Sequence, residues 1–168
     1  RSMVFYNESS KDKVSFRAVA LPRMAQLAPA FGVVLTELNG DSQPDLVIAQ
    51  NFFSPQREVG RMSGSSGASI LSALKDGVFE VHDTYKTGVI LTGDTKGVTV
   101  NEFNGDGIPD LSFTVNNGSV STFLNTSRKK FVGVRIKGRK GNLRAVGATL
   151  TFTTKNGNTQ TIEVTGGG

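Results

Sequence analysis

The 168-residue chain has no cysteine and no tryptophan, a single histidine and five prolines. Without cysteine there is no disulfide framework, no thiolate metal site and no cysteine nucleophile, and the redox compartment is left open. No run of about 18 apolar residues occurs, so no membrane-spanning helix is expected. Helix-period patterning is scarce too: residues 69–74 (Ser-Ile-Leu-Ser-Ala-Leu) could form a turn or so of helix, stopped by Lys75-Asp76-Gly77. Nucleophile elbows, phosphate-binding glycine loops and zinc-ligand spacings are missing. His82, in Glu80-Val81-His82-Asp83, has no nucleophile signature beside it and reads as an ordinary surface or internally satisfied histidine. The acidic-loop residues described below could in principle pair as glycosidase carboxylates, at the expense of their other use. These absences favour a protein without catalytic activity.

What the chain does have is turns. Twenty glycines, half of them beside Asn, Asp or Lys, divide it into short β-branched and aromatic runs. Strands are expected at 14–20, 32–36, 45–49, 78–81, 88–91, 97–100, 110–115, 120–124, 148–153 and 159–164. Asn116-Asn117-Gly118 and Asn156-Gly157 fall between alternating runs, as hairpin turns do. Residues 60–67 are small and polar and read as a surface loop.

Ten of twenty residues recur at a constant offset of 65. Gly32-Val33, Glu37, Asn39-Gly40-Asp41, Pro44-Asp45-Leu46 and Asn51 match Gly97-Val98, Glu102, Asn104-Gly105-Asp106, Pro109-Asp110-Leu111 and Asn116. Within each copy an acidic loop places Glu37, Asn39, Asp41 and Asp45, or Glu102, Asn104, Asp106 and Asp110, at positions 1, 3, 5 and 9. Alternate oxygens on a tight loop suit a hard cation such as Ca²⁺, with the position-7 residues Gln43 and Ile108 contributing main-chain carbonyls. Gly107 marks the sharp turn in the second loop, whereas Ser42 fills that place in the first and Glu replaces the usual Asp at position 1 of both. A structural Ca²⁺ is therefore better matched to loop 102–110 than to loop 37–45. Asn-Gly-Asp is also a good turn former without any ion.

Charge is segregated. Residues 1–125 carry 10 Lys/Arg against 13 Asp/Glu, and residues 126–168 carry nine against Glu163 alone. Arg128, Lys129, Lys130, Arg135, Lys137, Arg139, Lys140 and Arg144 could attract an anionic partner, or could form a solvated β face of alternating basic side chains. Only Phe131 interleaves them, which argues against nucleic acid as the partner.

The loop motif followed by a strand resembles the FG-GAP/VCBS repeats of calcium-braced β-propellers. Leu21-Pro-Arg-Met-Ala-Gln26 and Ala28-Pro-Ala-Phe-Gly32 resemble the approach to such a repeat. Val134-Arg-Ile-Lys-Gly138, Asn142, Ala145-Val-Gly-Ala148, Asn156-Gly157 with Gln160, and Gly166-Gly-Gly168 resemble an ASPIC/UnbV module that stops short. These resemblances imply an all-β protein: two propeller-type blades over 1–125, about four strands each, then a small antiparallel β module over 126–168. Two blades do not close a ring, so the rest of a longer chain, or self-association, would complete a propeller; the start at Arg1 without Met favours the longer chain. The resemblance implies a secreted, periplasmic or cell-surface scaffold for adhesion or binding to a protein or polysaccharide ligand. The alternatives are part of a carbohydrate-active propeller enzyme with catalytic residues mostly elsewhere, and an anion-binding module centred on the basic segment.

Overall fold

The computed structural model describes residues 1–53, 66–74, 76–129, 131–155, 157 and 159–166. Most of the expected 60–67 loop lies outside them, as do Lys130, Asn156 and the last two glycines. The structure is nearly all β: small antiparallel sheets, none closed into a barrel. It divides into two units, Arg1–Lys129 and Lys130–Gly168.

The first unit opens with a hairpin of β1 (Met3–Asn7) and β2 (Phe16–Ala20), followed by a 3₁₀ turn at Arg23–Gln26. A four-stranded meander then runs β3 (Ala30–Thr36), β4 (Asp45–Gln50), β5 (Ala68–Ala73) and β6 (Phe79–Val81). After the single helical turn α1 (Thr84–Thr87), β7 (Thr95–Asn101), β8 (Asp110–Val115) and β9 (Ser121–Phe123) form a second meander. Asp83 caps α1 by accepting from Tyr85 N–H at 2.9 Å, and Gly88 ends it at φ 72°.

Strand alternation gives each meander two faces, and the faces stack in one direction. Val98, Val100, Leu111, Phe113 and Phe123 of the second sheet pack on Val47, Ala49, Ala68 and Ile70 of the first. The residues matching Leu111 and Phe113 at the 65-residue offset are Leu46 and Ile48. They lie on the opposite face of the first sheet, with Leu71 and Phe79, and pack against Val4 and Tyr6 of the opening hairpin. Equivalent faces therefore meet the preceding element in both copies. The hairpin leaves the β3 part of that face uncovered: Val33 and Leu35 are 61% and 63% exposed.

The stacking is closest where the first strands meet. A Cβ on Gly32 would lie 3.0 Å from Val98 N and 3.1 Å from Gly97 Cα, so two matching glycines bring the backbones together. Both strands have a bulge at the same repeat position, between Ala30 and Gly32 and between Thr95 and Gly97. The bulged residues touch each other, Lys96 Nζ sitting 3.5 Å from the centroid of the Phe31 ring.

Three local expectations are corrected. Residues 69–74 form no helix: Ala68–Ala73 is a strand, held between β4 and β6 and buried along most of its length, so tertiary pairing overrides the weak helical pattern. Residues 88–91 join no ladder, although Val89 and Leu91 bury their side chains in the core between the sheets. Among the described residues the second repeat has three strands instead of four: β9 takes the place of β5, and no strand pairs beyond it as β6 pairs with β5.

In the second unit, β10 (Thr149–Thr153) and β11 (Thr159–Glu163) form one hairpin in register Thr149↔Glu163 to Thr153↔Thr159. Among the described residues of 131–148 there is no strand, so the basic side chains do not form the alternating β face considered above. Asn142 organises this stretch: its amide donates to Val146 O and its carbonyl oxygen accepts from Val146 N–H, both at 2.9 Å.

Candidate functional site

The two acidic loops share most of their hydrogen bonds, differing in that Glu37 Oε2 also accepts from Ser42 N–H while Glu102 Oε1 also accepts from Asp106 N–H. Glu37 Oε1 accepts from the N–H groups of Asn39 (3.0 Å) and Gly40 (2.7 Å). Glu102 Oε1 accepts likewise from Asn104 (2.9 Å), Gly105 and Asp106 (3.2 Å). Asn39 and Asn104 accept from the N–H two residues on, as do Asp41 and Asp106. Such Asx turns hold the chain in a tight coil. Positions 4 and 6 are left-handed in both copies: Gly40 at φ 75° and Gly105 at 84°, Ser42 at 68° and Gly107 at 79°. Ser42 thus holds a conformation that glycine occupies without strain in the second loop.

Position 9 does something the motif did not reveal. Asp45 and Asp110 are buried, at 1% and 0% exposure. Each closes its own loop, Asp45 Oδ2 accepting from Leu38 N–H at 2.8 Å and Asp110 Oδ2 from Phe103 N–H at 2.9 Å. The other oxygen reaches the third strand of the same sheet. Asp45 Oδ1 accepts from Ser72 Oγ on β5, and Asp110 Oδ1 from Asn125 N–H just beyond β9, at 2.7 Å.

Donor chemistry suits a hard cation, since every side chain in these positions offers oxygen. Glu102, Asn104, Asp106, the Ile108 carbonyl and Asp110 would hold it in the second loop; Glu37, Asn39, Asp41, the Gln43 carbonyl and Asp45 would do so in the first. In this arrangement most of those oxygens are turned onto backbone N–H groups. No three acidic or histidine side chains converge among the described residues. Glu102 Oε2 and Asp41 Oδ2 are oxygens with no hydrogen bond of their own.

Next to the first loop, within the Arg1–Lys129 unit, lies an open cavity of about 660 Å³. Its floor is apolar, formed by Ile70 of the first sheet, Leu111 and Phe123 of the second, and Val89 of the connection between them. His82, Lys86, Arg128 and Lys129 stand on its rim, all exposed to solvent. His82 Nε2 lies 2.7 Å from Ser72 Oγ. The Ser72 hydroxyl has one proton and gives it to the Asp45 carboxylate, so His82 Nε2 is the donor to Ser72. This order, His–Ser–Asp, does not activate the serine, which would need histidine as proton acceptor. It fastens the start of the β6–α1 connection to the loop instead. The sequence offered no signal for Ser72 or His82 here, because only the Asp45↔Ser72 register and the β5–β6 turn bring them together.

Another ionic pair lies at the far end of the repeats. Lys96 pairs with Asp94 and donates to the Asn51 carbonyl at 3.0 Å. Burial alone would raise the Asp94 carboxyl; the hydrogen bonds from Lys96 and Asn116, with the charge of Lys96, outweigh it and hold the group below its ordinary value.

Of the basic residues singled out in the sequence, Arg128 and Lys129 belong to the first unit and border the cavity. Arg135, Lys137, Arg139, Lys140 and Arg144 belong to the second and are exposed without ion pairs. No helix among the described residues is long and apolar enough to cross a membrane. Comparison with protein-family models, curated proteins and solved structures returns no match.

Proposed function

We propose that the chain is a non-catalytic binding scaffold of the FG-GAP/VCBS type, working outside the cytoplasm, with Ca²⁺ bracing loop 102–110 in particular. The observation that carries this reading is the matching bond pattern of the two loops at the 65-residue offset, on sheets that stack equivalent faces in one direction. Repeated units that bury a face only against their neighbours are built for display surfaces rather than enclosed chemistry. Weak oxygen loops of this kind fill at the millimolar Ca²⁺ found outside cells, which supports that location. Ion binding would draw the unbonded Oε2 of Glu102 inward beside Asp106 Oδ2, which accepts from the Asn104 amide at 2.9 Å, and would relieve the repulsion between the two carboxylates.

The test is thermal unfolding in Ca²⁺ and in chelator. Ca²⁺ at about ten times its Kd is expected to stabilise the chain by roughly 1.4 kcal/mol, and Asp106→Ala removes that increment, read as the difference between the variant's own Ca²⁺ and chelator curves, since the variant also loses the hydrogen bonds from Ile108 N–H and the Asn104 amide. A melting temperature indifferent to Ca²⁺ in the wild-type chain rules the metal out and leaves the loops as pure turn formers.

A further inference from the structure

The cavity beside loop 37–45 combines a cationic rim with an apolar wall. Its rim holds three cations, Lys86, Arg128 and Lys129, none with an acidic partner; the ion pairs among the described residues are Arg17–Glu8 and Lys96–Asp94, neither of them at the cavity. Asp45 is the acid that lines it, and both its oxygens are already engaged by Leu38 N–H and Ser72. Three cations against the one Asp45 carboxylate leave the cavity lining with a net positive charge. Below the rim the wall is Ile70, Val89, Leu111 and Phe123, contiguous with the core between the sheets.

Two of the polar groups in the lining are already engaged. The Asn125 amide donates to Leu38 O and Pro109 O and its oxygen accepts from Ser127 N–H. Thr87 Oγ1 donates to Thr84 O and accepts from Val89 N–H. The stem of Lys129 rests against Gly40, where any Cβ would collide with it, so this cation is held by the loop.

We infer that the cavity binds an amphiphilic anion: a carboxylate, sulfate or phosphate head at the rim, on the Arg128 fork and the two ammonium groups, with an aliphatic or aromatic body over Val89, Leu111 and Phe123. A volume of about 660 Å³ falls in the range typical of small-ligand sites, and guanidinium suits the planar or tetrahedral oxyanion. The inference deepens the binding role proposed above and rests on it only in treating the first unit as a binding module.

The experiment is a two-dimensional amide NMR titration of the full chain with octanoate kept below its micelle concentration. Acetate serves as head without body, octyl glucoside as body without charge, and octyl sulfate and octyl phosphate as changes of head. Octanoate is expected to shift the amides of Val89, Leu111 and Phe123, and to bind at least tenfold more tightly than acetate or octyl glucoside. Sulfate or phosphate heads matching or exceeding octanoate identify the preferred oxyanion. Arg128→Glu and Lys86→Glu should each weaken octanoate about tenfold, while Arg139→Glu in the second unit leaves it unchanged. Acetate binding as well as octanoate, octyl glucoside binding as well as octanoate, shifts confined to residues 131–166, or indifference to both charge reversals overturns the proposal. Octanoate binding in a chain that ignores Ca²⁺ would remove the metal reading alone.

Discussion

At the scale of single residues, the buried aspartates are the most consequential. Each joins the second residue of its loop to the third strand of its sheet. Asp110→Ala leaves the N–H groups of Phe103 and Asn125 without their charged acceptor and is expected to cost about 1.5–3 kcal/mol in urea unfolding. Ser42 offers the opposite case. Its φ of 68° costs about 1–2 kcal/mol for an L-residue, and Ser42→Gly returns that less the roughly 0.5–1 kcal/mol entropic cost of glycine. A small net rise in stability is expected, where the same change at an unstrained serine would lower it. Asp94 sets a pH dependence. Its folded carboxyl lies below the ordinary value of 3.8, so its stabilisation is complete above that value and fades as pH falls through the folded one. Lys96→Met leaves burial in command, raises the carboxyl, and should move the acid unfolding midpoint, followed by circular dichroism, to higher pH.

At the scale of elements, what could be read from the chain was local chemistry. Loops 37–45 and 102–110 were legible because Asn, Gly and Asp act on their own next two residues, and the strands leaving them because Asp45-Leu46 and Asp110-Leu111 start clean apolar runs. β5 was not legible: Ser69 and Ser72 interrupt its apolar pattern, and its identity depends on burial between β4 and β6. The cavity was invisible for the same reason, being assembled from loop, strand and connection that no spacing relates. The repeat itself marked a further contact, between β3 and β7, where it keeps a glycine in both copies. Gly32→Ala pushes a Cβ against the backbone of Gly97 and Val98, which has no rotamer to turn away, and should cost about 1–3 kcal/mol. Gly97→Ala meets Thr114 Oγ1 at 2.6 Å, a side chain that can rotate, so the smaller loss is expected there. Comparing the two melting temperatures tests whether the backbone crossing is the tighter constraint.

For the first unit as a whole, the two sheets differ on matching faces. Val34, Val47 and Ala49 of the first face the second sheet, and Val47 and Ala49 are 0% exposed. The second sheet has Thr99, Ser112 and Thr114 at those repeat positions, with Ser112 Oγ 3.1 Å from Thr122 Oγ1 on the exposed side. Hydroxyls there give no reward for adding another layer, whereas Val33 and Leu35 on the other side remain uncovered. The stack therefore has a sealed end and an adhesive end, like a row of tiles with a finished border. A further layer would bury apolar side chains beside β3 and hydroxyls beyond β7–β9, which gives apolar assembly a direction. Leu35→Lys is expected to suppress concentration-dependent self-association in sedimentation, and Thr114→Lys to leave it unchanged.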